Sequence, residues 1–199
     1  MIKKLFIASK NSGKIKEIRA ILDGAGIELF SLVDAPNIPE IEETGTTFEE
    51  NAFLKANAVY DIVKIPVLAD DSGLEVDFLD GAPGIYSARY SGTGANDLKN
   101  NEKLLAELEE VEFSRRTARF RCVIAMFDGI SGRSFEGTCE GHVISYIKGT
   151  NGFGYDPLFM PNGYDQTFAE LGEAVKNRIS HRGKALNNLR EFLLFEQKM

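Results

Sequence analysis

Two adjacent carboxylates, Asp70 and Asp71, follow the apolar run Val67-Leu68-Ala69 and precede Ser72-Gly73. In open α/β sheets ligands gather at the carboxyl ends of strands, and an oxygen-rich site there suits magnesium. Successive strand residues point to opposite faces, so the two carboxylates share a site only if the turn has already begun. Asp71, nearer that turn, is the expected metal ligand or general base. The plain alternative is an acidic turn in which Asp70 bonds local backbone. A second candidate is Ser9-Lys10-Asn11-Ser12-Gly13-Lys14, set between a strand pattern and a helix pattern. Unpaired N–H groups and the dipole of a helix N-terminus favour an anion such as phosphate there, and Lys14 adds a full charge. It is not a Walker A loop, because Ala8 stands at the first glycine position and Ile15 where a hydroxyl residue would hold magnesium. An ordinary turn with a solvated lysine would explain the same residues.

Three further groups carry possible chemistry. Glu42-Glu43-Thr44-Gly45 precedes a helix pattern bearing Lys55. Glu43 is a candidate second metal ligand, although glutamates before a helix also simply favour its dipole. In Gly152-Phe153-Gly154-Tyr155-Asp156-Pro157 the glycines let backbone approach a ligand and the rings could cover a planar base. A tight turn packed under its own aromatics is the alternative. Lys176 with Ser180-His181-Arg182 places a serine or histidine at a helix entrance beside the rigid donor fork of an arginine. A capping serine and a solvated arginine would look the same. Gly152-x-Gly154 and Gly92-x-Gly94 both lack the third glycine of a dinucleotide fingerprint, which excludes a Rossmann reading.

The elements that must position these groups follow from hydrophobic spacing. Lys3–Ala8 reads as a strand, and Asn11–Ala25 as a helix through Ile15, Ile18, Ile21 and Leu22, stopped by Gly24 and Gly26. Ile27–Leu32 reads as a second strand, followed by a loop with the acidic cluster Glu40, Glu42 and Glu43. Thr46 or Thr47 caps a helix to about Val63, with Phe48, Ala52, Ala56, Val59 and Val63 as its apolar stripe and Asn51 and Lys55 opposite. The strand Val67–Ala69 is expected to end on the two carboxylates, with Leu74–Phe78 resuming an extended pattern after the turn. Gly81–Gly94 is irregular, and Asp97–Leu108 forms a helix with Leu98, Leu104, Leu105 and Leu108 on its apolar side. A half-buried strand through Ala118, Phe120, Cys122, Ile124 and Met126 leads to a hairpin near Asp128-Gly129. Ser134–Ile147 holds one or two more strands, and a helix over Arg182–Gln197 closes the pattern. The class is α/β or α+β with a mixed sheet, without internal repeats or low-complexity linkers.

Composition narrows the function. In 199 residues, 43% are hydrophobic and 27% charged, enough apolar material for a core in one domain. The net charge of −7 argues against general binding of nucleic acid or of an anionic membrane. No apolar run approaches the ~20 residues needed to span a bilayer, and Met1-Ile2-Lys3-Lys4 is not followed by the long apolar stretch of a signal peptide. A cytoplasmic location is expected, with Cys122 and Cys139 as reduced thiols.

Taken together the motifs resemble the inosine triphosphate pyrophosphatase family, also called Ham1-like nucleoside triphosphate pyrophosphatases. The blocks occur in the family's order: Ser9-x-Asn11-x-x-Lys14-x-x-Glu17, Glu43-Thr44-Gly45-x-Thr47-Phe48-x-x-Asn51-Ala52, Lys55-Ala56, and Ala69-Asp70-Asp71-Ser72-Gly73-Leu74. Gly84-Ile85-Tyr86-Ser87-Ala88-Arg89-Tyr90, Gly152-Phe153-Gly154-Tyr155-Asp156-Pro157 and Ile179-Ser180-His181-Arg182 follow. Ser9-Lys10 departs from the Thr-Gly or Thr-Thr of many members. The resemblance implies a single domain over residues 1–199, an elongated two-lobed mixed α/β (α+β) fold with a central mixed sheet, a nucleotide cleft between the lobes, and a homodimer. It also implies magnesium-dependent hydrolysis of deaminated purine nucleoside triphosphates (ITP, dITP, XTP) to the monophosphate and pyrophosphate. By position, Ser9 to Lys14, Lys55 and Ser72 look like triphosphate contacts, Glu43 and Asp71 like magnesium ligands, and Asp71 like the proton acceptor. Phe153, Gly154, Tyr155, Asp156, Lys176, His181 and Arg182 look like the base and sugar pocket, with Arg182 expected to donate to the purine 6-oxo group. Two rivals remain: a regulatory module that holds a nucleotide without turnover, which explains Glu43 with Asp71 less well, and the Maf-like pyrophosphatases, against which Ser180-His181-Arg182 argues.

Overall fold

The computed structural model describes residues 2–39 and 41–196, so Glu40 of the acidic loop and Gln197, the expected end of the last helix, lie outside the described residues. The elements run β1 (Lys4–Ile7), α1 (Ser12–Leu22), β2 (Glu28–Ser31), α2 (Phe48–Val63), β3 (Val67–Val76), α3 (Asp97–Glu107), β4 (Thr117–Phe127), β5 (Gly132–Val143), β6 (Phe159–Pro161), α4 (Glu173–Ile179) and α5 (His181–Glu196). Among the described residues the strands form a six-stranded sheet in the order β2-β1-β3-β4-β5-β6. The sheet is mixed, as expected. β1 runs parallel to β2 and β3, with Phe6 opposite Phe30 and Val67, whereas β5 and β6 are antiparallel, with His142 opposite Met160.

The chain divides into two compact units. The first comprises the residues up to Asp71, Cys122–Gly137 and Arg182 onward. Its core packs Leu5 and Ile7 of β1, Leu68 of β3 and Cys122, Ile124 and Met126 of β4 against Ile15, Ile18 and Leu22 of α1 and Ala185, Leu186, Leu189 and Leu193 of α5. The helical spacing of these residues is what makes α1 and α5 helices, since each buries one stripe and burying a leucine contributes about 1.5–3 kcal/mol. Asn11 caps α1 by accepting the Lys14 N–H, and Thr47 caps α2 by accepting that of Glu50. Phe48, Ala52, Ala56 and Val59 form the buried stripe of α2.

The second unit comprises Ser72–Arg121 and Thr138–His181. Its core gathers Leu74 and Val76 of β3, Leu104 and Leu108 at the end of α3, Ala118 and Phe120 of β4, and Tyr155, Leu158, Phe159 and Phe168. Phe120 makes an edge contact with Phe159 and stacks on Phe168, centroids 4.8 and 6.0 Å apart.

Several expectations are corrected. β3 does not stop at the carboxylates but runs unbroken from Val67 to Val76, so Asp70 and Asp71 are mid-strand residues. Both are buried, and their partners, described below, satisfy charges that solvent would meet in a turn. Asn51 is fully buried rather than on an exposed face of α2. Leu98 is 58% exposed, because the inner stripe of α3 runs through Asn100, Asn101 and Leu104 instead. The second half of β4, Cys122 to Met126, is buried continuously rather than in alternation. β6 and α4 were not anticipated; the first is only 3 residues long and the second 7, too short for periodicity to register. The Asp128–Ser131 turn between β4 and β5 fits the expected hairpin, closed by the Asp128 N–H on the Ser131 carbonyl at 3.2 Å.

Candidate active site

In the first unit the loop before α2 is tied to the start of that helix. The Gly45 N–H donates to Asn51 Oδ1 at 2.8 Å, and the Thr46 N–H and hydroxyl both donate to Glu50 Oε2, at 2.7 and 2.9 Å. Gly45 has no space for a side chain, since a Cβ would lie 2.7 Å from Asn51 Oδ1. This anchoring delivers Glu43 to Lys55, two turns into α2, with Nζ donating to Oε1 at 2.7 Å. Lys55 Nζ also donates to the main-chain carbonyl of Asp70 at 2.7 Å and stands 3.5 Å from Asp71 Oδ1.

One ammonium thus bridges two carboxylates from a loop and a strand. Burial works against the Lys55 charge, but Asp71 and Glu43 outweigh it and raise its pKa above that of an ordinary lysine. Burial pushes the Asp71 carboxyl up, Lys55 and Lys14 offset this only in part, and Glu43 and Asp70 add to the rise. Asp71 Oδ2 is buried with no hydrogen-bond partner among the described residues. An unpaired carboxylate oxygen in a buried site is poised for a cation or a water. Among the described residues no group of three or more His, Cys, Asp or Glu side chains could hold a metal alone. The groups here that could meet a cation are the Glu43 carboxylate and the unpaired Asp71 oxygen.

Asp70, one residue earlier on β3, meets different partners. Its Oδ1 pairs with Lys14 Nζ, and its Oδ2 accepts from Arg182 Nε at 3.0 Å and from the Cys122 thiol at 2.9 Å. Burial opposes its charge, but Arg182 and Lys14 prevail and hold the Asp70 carboxyl well below the usual carboxylate range. Strand alternation had separated the two carboxylates correctly, without the expected turn. Arg182 is 2% exposed, and its Nη1 donates to Glu17 Oε2 at 2.5 Å. Two edges of its guanidinium are thus committed to carboxylates. The sequence had grouped Arg182 with Lys176; the structure brings it to Asp70 and Glu17 of the first unit. At the start of α1, Lys10, Asn11 and Ser12 are exposed, while Ser9, Gly13 and Lys14 are half-buried. The Asn11 N–H donates to Ser9 Oγ at 3.1 Å. The leading N–H groups of α1, those of Ser12 and Gly13, face out of the helix start.

The second unit contains the aromatic loop. Asp156 Oδ2 accepts the Phe153 N–H at 2.9 Å and pairs with Lys176 Nζ at 2.6 Å, both residues being buried. Lys176 Nζ covers the Phe153 ring at 4.8 Å from its centroid. Gly152 has φ +77°, and a Cβ there would meet Asp156 Oδ2 at 2.0 Å, so this glycine is required. Tyr155 is buried in the core and donates its hydroxyl to the Ser87 carbonyl at 2.9 Å. Ser87 Oγ in turn accepts the Leu74 N–H at 2.9 Å. His181 is 4% exposed and lies flat on Phe120, ring centroids 4.6 Å apart. Ser72 is half-buried on β3. Asn51, Asp97 and Asn101 support the site residues through hydrogen bonds to Gly45 and Gly154, roles that the motifs do not mark. Buried asparagines in register with an apolar helical stripe, as Asn101 is with Leu104 and Leu108, are the signal that would have found two of them.

Residues 5–192 match the model of the Ham1 family. A protein of Geobacter sulfurreducens named dITP/XTP pyrophosphatase is 52% identical over 191 residues, covering 96% of each chain. A Bacillus licheniformis protein of the same name is 51% identical over 193 residues, covering 96% of this chain and 98% of its own. Among solved structures, the Staphylococcus aureus Ham1 protein superposes with a TM-score of 0.87 at 43% identity, over 98% of this chain and 100% of that one. A HAM1 protein from Coxiella burnetii gives a TM-score of 0.87 at 40% identity, over 97% and 98% of the two chains. A family match across nearly the whole length, with relatives at half identity and the same fold, means that the chain belongs to the Ham1 family.

Proposed function

We propose that this chain hydrolyses deaminated purine nucleoside triphosphates, dITP, ITP and XTP, to the monophosphate and pyrophosphate, and so removes them from the nucleotide pool. The observation that carries the reading is the Glu43–Lys55–Asp71 constellation, with its buried Asp71 oxygen that has no partner among the described residues. It occurs in a chain about half identical to proteins named dITP/XTP pyrophosphatase.

In this reading the first unit handles the triphosphate. Lys14, Lys55 and the opening N–H groups of α1 offset its charge, which a protein of net charge −7 would otherwise repel. Ser9 to Gly13 line the phosphates. Glu43 and Asp71 would hold a magnesium ion, which would supply charge neutralisation for the phosphates. Asp71 accepts the proton of the attacking water. The oxygen of water bonds one of the α and β phosphorus atoms as that atom's bond to the bridging oxygen breaks, the electron pair leaving with the oxygen on the other phosphate, and the proton of water goes to Asp71. Lys55 keeps Asp71 ionised until then and donates to charge that develops on the phosphates. No covalent intermediate is needed.

The second unit recognises the nucleoside. Phe153 offers a ring to a purine, the Lys176–Asp156 pair gives polar contacts, and His181 contributes from its place against Phe120. The chain acts as one domain, as a homodimer, in the cytoplasm. Among the described residues no helix is long and apolar enough to cross a membrane.

The test is a nucleotide panel of dITP, XTP, dGTP and dATP with magnesium, measuring pyrophosphate and orthophosphate separately. Pyrophosphate release from dITP and XTP, faster than from dATP by orders of magnitude, is expected, because a site built for a 6-oxo group leaves polar groups unpaired against a 6-amino group. Binding without turnover would turn the chain into a regulatory module, and orthophosphate alone would indicate a different hydrolase.

A further inference from the structure

The aromatic loop is gripped at one residue by one helix. Gly154, in the left-handed region at φ +62°, has both backbone polar groups engaged by α3. Its N–H donates to Asp97 Oδ2 at 2.7 Å, and its carbonyl accepts from Asn101 Nδ2 at 2.9 Å. Asp97 and Asn101 stand one turn apart on the same face of α3, so a rigid element holds the peptide units on both sides of Gly154. Asn101 is 3% exposed and keeps its Oδ1 buried without a partner among the described residues, a cost that its contact to Gly154 helps offset. Its neighbour Asn100 donates to the carbonyls of Ser87 and Ala88 at 3.3 and 3.2 Å and accepts from the Ser91 N–H and hydroxyl, both at 2.8 Å. Tyr155 donates to that same Ser87 carbonyl. Besides its internal Phe153 N–H to Asp156 bond, the loop is therefore held from outside at Gly154 and Tyr155, by α3 and the segment it anchors, and Phe153 and Asp156 flank these held residues.

We propose that Asp97 and Asn101 are positioning residues that set affinity for the nucleoside part of the substrate without touching it. The inference rests on the nucleoside-recognition role given above to Phe153 and Asp156. A helix-held clamp matters because ring and carboxylate must be presented within a fraction of an ångström, and a glycine at positive φ has no side chain to restrain itself.

Asp97 is exposed, so its variants should fold. Asp97→Ala removes the acceptor of the Gly154 N–H, and Asp97→Asn retains one. The expected result for Asp97→Ala is faster hydrogen exchange at the Gly154 amide, KM for dITP raised about tenfold with kcat changed less than about threefold, and an unchanged inhibition constant for inorganic pyrophosphate, which engages only the phosphate contacts. Asp97→Asn should stay within about twofold of wild type throughout. Asn101→Asp, which loses the donor to Gly154 and keeps the size, should follow Asp97→Ala. An unchanged KM in Asp97→Ala, or a rise shared equally by the dITP KM and the pyrophosphate constant, would overturn the proposal. Wild-type protein that releases no pyrophosphate from dITP would instead defeat the proposed function, and this inference with it.

Discussion

Asp71 presents Oδ1 to Lys55 Nζ at 3.5 Å while its Oδ2 is buried without a hydrogen-bond partner among the described residues. An ion pair that uses only half of a carboxylate leaves the other half for chemistry. Burial raises the proton affinity of this group, which suits a base that must take a proton from water.

Asp71→Asn should therefore remove nearly all turnover, by on the order of 10² to 10⁴, with the fold intact. The amide keeps the shape but loses the negative charge that holds a cation and accepts a proton. Pyrophosphate release from dITP and the circular dichroism spectrum check this together. Activity near wild type with unaltered magnesium affinity would refute the assignment.

Lys55→Ala should lower kcat/KM for dITP by a factor equivalent to about 2 to 4 kcal/mol. Its loss deprives the phosphates of a donor and leaves Glu43 and Asp71 without their shared cation. If kinetics stay unchanged and only thermal stability falls, Lys55 is a structural ion-pair partner.

Asp70 gives a stability prediction of opposite character to Asp71. Its folded-state pKa lies well below the unfolded value of about 3.9, so its contribution is fully present above that pH and is lost as acid protonates the folded carboxyl. Asp70→Asn should destabilise the protein by about 3 kcal/mol at neutral pH, because Arg182 and Lys14 lose a buried counter-charge. The mutant should also lose less stability than wild type below about pH 4. Urea unfolding across the pH range measures both effects, and parallel pH profiles would contradict the electrostatic account. Arg182→Ala should likewise act first on stability, since its Nε and Nη1 are bound to Asp70 and Glu17.

The sequence was most legible where local rules suffice. Asn11 and Thr47 cap the helices they were expected to cap or adjoin, and the apolar stripes of α1, α2 and α5 are the buried ones. It misled where tertiary partners override local preference. Asp-Asp-Ser-Gly has turn composition, yet β3 continues through it, because Lys14, Lys55 and Arg182 arrive from three helices to neutralise carboxylates that a lone strand could not bury. Lys55 and Glu43 could be paired from their motif, but that the loop is held by Asn51 depended on a hydrogen bond invisible to composition. The motif groups Arg182 with ligand donors, but residue type and order do not record that its Nε and Nη1 also meet Asp70 and Glu17.

Gly45→Ala tests whether the loop before α2 delivers Glu43. A methyl at this position would lie 2.7 Å from both Asn51 Oδ1 and Glu50 Cβ, contacts too close to keep. The backbone must then move away from α2, weakening the 2.8 Å bond from the Gly45 N–H to Asn51 and displacing Glu43, two residues upstream, from Lys55. Destabilisation of about 1–3 kcal/mol is expected from the overpacking. The more telling outcome is cation affinity: manganese titration followed by water-proton relaxation should show weaker binding than wild type, while Thr44→Ala, an exposed neighbour, should leave it unaltered. Gly45→Ala protein that melts lower yet binds manganese as wild type does would show that Glu43 reaches its place independently of the Asn51 anchor, or that it is no part of the cation site.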